Sequence, residues 1–258
     1  MASRSIARAD RLATPRALVR VAGLIGALLV CVPLHGLWRL FRLPSPWPRL
    51  FLGSAARICG ARVRTTGTPL KRNVIYLSNH RSWLDILVIA GATGSAFVAK
   101  AELRAAPVVG WLATLNRTIF VARTDRMGIA AQIAELGAAI RQGWAVTIFP
   151  EGTTSGHDEL LPFKGSLLAA LEPPPPGVMV QPILLDYGAA GPLVAWVGDE
   201  PGQENALKIL GHRGSFEVTV DFLAPFDPAD HPGRKGIAAA AHREIRARLD
   251  ERLADPSY

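Results

Sequence analysis

Two cysteines, Cys31 and Cys59, are all that 258 residues contain, so neither a disulfide framework nor a C-x-x-C redox or zinc motif can be drawn. Acids are scarce too: 21 Asp and Glu stand against 29 Lys and Arg, a formal net charge of +8. No His and carboxylate cluster has the spacing of a metal site, so no metal is expected. Aromatics make up only 7% of the chain. Without RNP-like, zinc-finger or repeat patterns, the basic balance points away from nucleic acid. It points toward anionic lipid headgroups or an acidic carrier protein. There is no G-x-S-x-G elbow, which removes the serine nucleophile of α/β-hydrolases.

What is abundant is apolar sequence. The hydrophobic fraction of 49% lies at the upper edge of the soluble range and leans toward membrane contact. Residues 1–20 are Arg-rich, and the run VAGLIGALLVCVPLHGLW (21–38) that follows carries no charge before Arg39 and Arg42. A run of this length is near the lower limit of a bilayer span, about 17–25 residues. It ends at Trp-Arg-Leu-Phe-Arg rather than at a small-residue cleavage site, which argues against a signal peptide. We expect a membrane anchor that spans once or dips in and returns, with Pro33 and Gly36 allowing a bend. Basic residues on both flanks give the positive-inside rule nothing to separate. The Pro-rich stretch 43–48 reads as a linker, so residues 1–48 form the basic terminus, anchor and linker, and residues 49–258 one catalytic-sized domain.

Beyond Pro48, short apolar runs alternate with helical ones. Strands are expected at 74–78, 96–99, 118–122, 145–149, 178–185, 193–197 and 216–222, and helices at 83–91, 127–141, 164–171 and 236–253. Such alternation predicts an α/β domain, a mixed, mostly parallel sheet covered by helices. In Val180-Gln181-Pro182-Ile183 the proline predicts an edge or strand-end position.

Three strand ends carry candidate chemistry. Asn79-His80-Arg81-Ser82-Trp83-Leu84-Asp85 joins a strand to a helix. On one continuous helix His80 and Asp85 would lie about 140° apart. They can meet only if His80 precedes the helix and Asp85 sits in its first turn, as the capping-box-like Ser82-x-x-Asp85 predicts. A first-turn acid serving the helix end is the plainer reading of Asp85. Phe149-Pro150-Glu151-Gly152-Thr153-Thr154-Ser155 follows a second strand and gathers backbone N–H groups and three hydroxyls at one turn, a setting for phosphate or carboxylate. Arg123, at the exit of the strand 118–122, could clamp an anion in bidentate fashion.

These pieces, taken together and in order, resemble the four sequence blocks of the glycerolipid acyltransferase family, especially the bacterial 1-acylglycerol-3-phosphate acyltransferases: NHRSWLD, Arg123 ending TIFVAR, FPEGTTS and VQPI. The resemblance covers about residues 70–185, and Lys100-Ala101-Glu102-Leu103 and Phe163-Lys164-Gly165 also fit it. It implies transfer of a fatty acyl group from acyl-ACP or acyl-CoA to a lysolipid hydroxyl, with no cofactor beyond that co-substrate. It implies His80 as general base and Asp85 as its supporting acid. It places Arg123, Glu151, Gly152, Thr153 and Lys164 at the acceptor, with Asn79 toward the oxyanion. The first expectation for the acceptor is 1-acyl-sn-glycerol-3-phosphate, giving phosphatidic acid. Arg117 and Ala122 stand where the second block usually has Gly and an acid, which keeps lyso-ornithine lipid and other lysophospholipids open. The family habit is the inner membrane with the domain on the cytoplasmic face. A basic, non-catalytic lipid-binding module is the rival reading.

Overall fold

The computed structural model describes residues 13–121 and 126–255. A long helix α1 (Ala13–Leu40) leads into α2 (Trp47–Ile58) and the first strand β1 (Ala61–Thr66). The alternating part follows as β2 (Val74–Ser78), α3 (Leu84–Thr93), β3 (Ala96–Lys100), α4 (Pro107–Leu115), β4 (Ile119–Val121), α5 (Arg126–Arg141) and β5 (Ala145–Ile148). The chain closes with β6 (Met179–Asp186), the short α6 (Gly191–Val194), α7 (Gly202–Gly211), β7 (Phe216–Phe222) and α8 (Gly233–Leu253).

The seven strands form one sheet in the order β1-β7-β6-β2-β5-β3-β4. Every neighbouring pair is parallel except β6 with β7, so the expected mixed, mostly parallel sheet is present. The unbroken apolar run of β2 has a direct physical cause. Its side chains alternate between two buried faces, Val74 and Tyr76 joining the core under α2, α3 and α7. Ile75 and Leu77 join the core under α5 and α8. A strand covered on both sides needs no polar face.

Several expectations are corrected. Residues 193–197 are not a strand: Gly191 and Pro192 start the helical turn α6, where proline at the first turn forfeits no hydrogen bond. In 164–171 only a 3-10 turn forms, at Leu167–Leu171. Pro182 lies inside the interior strand β6, paired with Leu77 of β2. Its nitrogen points to the β7 side, as its carbonyl does in accepting from Leu223 N at 3.0 Å. The β6–β7 ladder begins only at Ile183, so the missing N–H costs no ladder bond.

Helix α1 runs unbroken through Pro33, so the chain reverses after it, at Phe41–Pro46, and not within it. Its 28 residues span about 42 Å, and by length and composition it can cross a bilayer. The boundary expected at residue 48 falls inside α2, whose first turn tolerates Pro48. Arg16 and Arg20 of α1 donate to the carbonyls of Gly211, Ile209, Leu210 and Gly214, which ties the start of α1 to α7 and the turn before β7. Helices α2 and α3 cross at a glycine pair. A Cβ on Gly91 would lie 2.5 Å from the Cα of Gly53, so only glycine allows this approach.

Candidate active site

Because β5, β2 and β6 are adjacent and parallel, their carboxyl ends bring three otherwise distant segments together. His80 follows β2, Glu151 follows β5 and Tyr187 follows β6. The backbone of His80 is held from both sides by the 151–155 turn. Its N–H donates to Glu151 Oε1 at 2.7 Å, and its carbonyl accepts from Ser155 N at 2.9 Å. Its ring stacks on Phe149, with centroids 4.0 Å apart and planes inclined by 12°.

Asp85 is fully buried in the first turn of α3, and His80 Nδ1 lies 2.8 Å from its Oδ2. The same oxygen accepts from Arg81 N at 2.5 Å and Ser82 N at 2.9 Å, while Ser82 Oγ accepts from Leu84 N at 3.1 Å. Half of the anticipated capping box therefore forms, Asp85 on Ser82 N, while Ser82 Oγ takes Leu84 N and Asp85 N goes to the Ser82 carbonyl, and one carboxylate serves both the helix end and the imidazole. Its other oxygen, Oδ1, accepts from the Tyr187 hydroxyl at 2.7 Å. An ionised carboxylate only accepts, so Nδ1 carries a proton and the neutral ring presents a lone pair at Nε2. Nε2 makes no hydrogen bond among the described residues, and the side chain keeps 19% of its surface exposed. The arrangement can take a proton from a hydroxyl and hold the resulting imidazolium against a buried negative charge.

Glu151 is buried, with Oε1 on His80 N and Oε2 on Leu161 N at 3.0 Å. Burial raises its pKa above the ordinary value, against the opposing pull of hydrogen bonds from Ser155 and the amides of His80 and Leu161 and of the Arg81 charge. Its carboxylate thus braces the loops beneath the histidine. Asn79 is likewise committed to the fold: Oδ1 accepts from Leu185 N at 2.7 Å and Nδ2 donates to Leu185 O at 2.9 Å, bridging the end of β2 to β6. Gly152 stands at φ +75°, a conformation that glycine supplies in this tight turn, and its N–H reaches Phe149 O. Thr153 and Lys164 are exposed on the same loop system, with Lys164 N donating to Pro150 O at 2.8 Å. Arg123 lies outside the described residues.

Two contributors, Arg81 and Tyr187, were not singled out by the sequence. Arg81 is buried, and its Nη1 donates to Ser155 Oγ at 2.6 Å and to the carbonyls of Gly156 and Glu159, clamping the two site loops together. Ser155 is consumed by that clamp, and Thr154 Oγ1 donates to the Trp196 carbonyl, so two of the three hydroxyls of the turn serve the fold. Tyr187 is buried, its phenol pushed well above the ordinary value by burial first and by Asp85 second. The only local hint of Tyr187 was its place just past a strand parallel to the one that delivers His80.

The sequence profile of the Acyltransferase family matches residues 61–186. The lyso-ornithine lipid O-acyltransferase of Rhizobium meliloti (strain 1021) is 37% identical over 91% of this chain and 87% of its own length. That of Brucella abortus (strain 2308) is 34% identical over 93% and 96%. Among solved structures, the 1-acyl-sn-glycerophosphate (LPA) acyltransferase of Thermotoga maritima superposes with a TM-score of 0.66 at 25% identity, covering 94% of this chain and 98% of that one. With the profile spanning β1 to β6 and relatives above 30% identity along nearly their whole length, this chain belongs to the acyltransferase family and is an acyltransferase.

Proposed function

We propose that the protein transfers a fatty acyl group from an acyl thioester, acyl-ACP or acyl-CoA, to the free hydroxyl of lyso-ornithine lipid. The observation that carries the chemistry is the buried Asp85 carboxylate 2.8 Å from His80 Nδ1. The acceptor oxygen attacks the thioester carbonyl while His80 Nε2 takes its proton. The tetrahedral adduct then expels the thiolate, which receives that proton from the imidazolium. An ester forms, a thioester breaks, and a free thiol leaves. No acyl-enzyme is needed, in keeping with the absence of a nucleophile elbow. Asp85 stabilises the imidazolium, Tyr187 orients Asp85, the loop of Gly152, Thr153 and Lys164 faces the acceptor, and Arg123 is assigned to its headgroup on the family resemblance.

Four relatives above 30% identity bear the lyso-ornithine name. Ala122 in the place of an acid fits a headgroup with a carboxylate and an amine in place of a phosphate monoester, whereas Arg117, just before β4, lies at the far end of the sheet from His80 and does not reach the acceptor. In this reading α1 anchors the enzyme in the inner membrane with the domain on the cytoplasmic face. Its 28-residue apolar length supports the anchoring.

The test is an acceptor panel with one labelled acyl thioester, presented as acyl-ACP and as acyl-CoA. Lyso-ornithine lipid should be acylated fastest, and His80→Ala should reduce thiol release to background while leaving the fold intact. Efficient acylation of lysophosphatidic acid with none of lyso-ornithine lipid would refute the acceptor. Full activity in the His80→Ala enzyme would refute the mechanism.

A further inference from the structure

At the opposite end of the sheet from His80, before β2, β3, β4 and β5 begin, lies a second cavity of about 260 Å³. Its lining includes three cations, Lys71, Arg72 and Arg117, and no acid. All three are exposed. Arg117 stands at φ +56° and is held over the Trp144 ring, 4.9 Å from its centroid. This left-handed residue closes α4, with Arg117 N donating to Thr114 O and Thr118 N to Ala113 O, and the cap leaves the guanidinium facing the hollow.

Helices α3, α4 and α5 all end near this cavity, and cations near helix ends ordinarily complement the dipole. That account is incomplete. The terminal carbonyls are served by the backbone N–H groups of Gly94, Asn116, Gln142, Gly143 and Trp144. Arg49 adds bonds to the carbonyls of Gly91 and Ala92. Lys71 and Arg72 make no hydrogen bond or ion pair among the described residues. Three cations without an anion in one polar hollow are a site for an anion.

The neighbourhood says which anion. Asn116, next to Arg117, lines an apolar pocket formed with α1 and α2, and α4 ends immediately before it. The α4 side chains Val108, Val109 and Trp111 are exposed apolar groups. Helix α4, about 13 Å long, runs from the catalytic rim past β3 back to the cationic hollow. An apolar strip leading into a cationic hollow fits a lipid with a charged head better than a free ion.

We propose that Lys71, Arg72 and Arg117 bind the phosphate headgroup of an anionic phospholipid, at a site separate from the acyl acceptor. The five residues of β2 put it about 17 Å from His80. It rests on the membrane association of α1, not on the identity of the acceptor.

The experiment uses the full chain in non-ionic micelles and titration calorimetry. The probes are dioctanoyl phosphatidylglycerol, dioctanoyl phosphatidylcholine and, without lipid, inorganic phosphate. Phosphatidylglycerol should bind and phosphatidylcholine should not. Affinity should drop about fivefold for each charge removed, or about a hundredfold in Lys71→Gln/Arg72→Gln/Arg117→Gln. Arg213→Gln, which removes an exposed charge elsewhere, should bind as wild type does. Circular dichroism verifies that the triple variant is folded. Equal affinity for the two lipids, wild-type affinity in the folded triple variant, or inorganic phosphate binding as tightly as the lipid would each overturn the proposal. Because the readout is binding, a wrong acceptor assignment leaves it unmoved.

Discussion

Asp85→Asn isolates the electrostatic part of the proposed mechanism. The Asp85 side chain accepts four hydrogen bonds, three at Oδ2 from His80 Nδ1, Arg81 N and Ser82 N, and one at Oδ1 from Tyr187. Asparagine can keep its carbonyl oxygen toward the three N–H donors and turn its amide toward the Tyr187 oxygen, so the local geometry survives. The charge does not. With about 4 Å between the charge centres and an effective dielectric constant of about 20, the attraction lost when His80 becomes an imidazolium is about 4 kcal/mol. At about 1.4 kcal/mol per decade this predicts a kcat reduced about a thousandfold. Thiol release from the acyl thioester measures the rate, and a thermal melt shows that the variant is folded. Asp85→Ala makes the contrast. It leaves three buried donors, Arg81 N, Ser82 N and the Tyr187 hydroxyl, unsatisfied at about 1–3 kcal/mol each, a large part of a total stability of about 5–15 kcal/mol, and should fail to fold. A folded Asp85→Asn enzyme within tenfold of wild-type activity would refute the assignment of Asp85 as the charge partner of the base.

Two further outcomes follow from packing and titration. Burial raises the Glu151 pKa, so the folded state binds its proton more tightly than the unfolded chain. Stability from this group is complete below the unfolded value of about 4.3 and is lost as pH rises through the folded value. Glu151→Gln should be less stable throughout yet lack that decline in denaturant melts from pH 4 to 7; an unchanged slope would count against burial raising the Glu151 pKa. Gly91→Ala would push a methyl group to 2.5 Å from Gly53 Cα, costing about 1–3 kcal/mol. Differential scanning should show a melting point lower by several degrees, at roughly 2–4 °C per kcal/mol for a chain of this size, and an unchanged midpoint would deny the close crossing of α2 and α3.

The readable parts of this chain were those where local pattern and tertiary role agree. β2 and β5 are apolar because both their faces are covered, and a run of such residues has few other uses. The meeting of His80 with Asp85 could be anticipated from the Ser82-x-x-Asp85 helix start. Where one residue type serves opposite ends, reading failed. Pro46 and Pro48 looked like a linker, yet proline is at home in a first helical turn, and α2 begins there. Pro107 hid α4 in the same way. β1 was hidden by Arg62 and Arg64, side chains that an edge strand can leave in solvent. Tyr187 lies 102 residues from the carboxylate it touches, and only the parallel pairing of β2 with β6 brings them together. The inward turn of Glu151 and the full commitment of Asn79 were equally hidden, because residue identity and spacing do not say whether a polar group faces a ligand or a backbone.

The shared duty of Asp85 bears on how the enzyme spends its conformational freedom. One carboxylate ties the imidazole to the first turn of α3 and, through Tyr187, to the end of β6. The orientational entropy of the base is therefore surrendered once, when the chain folds, and not again at each encounter with a lipid. What must still be ordered at every turnover is the pair of flexible acyl chains arriving from outside.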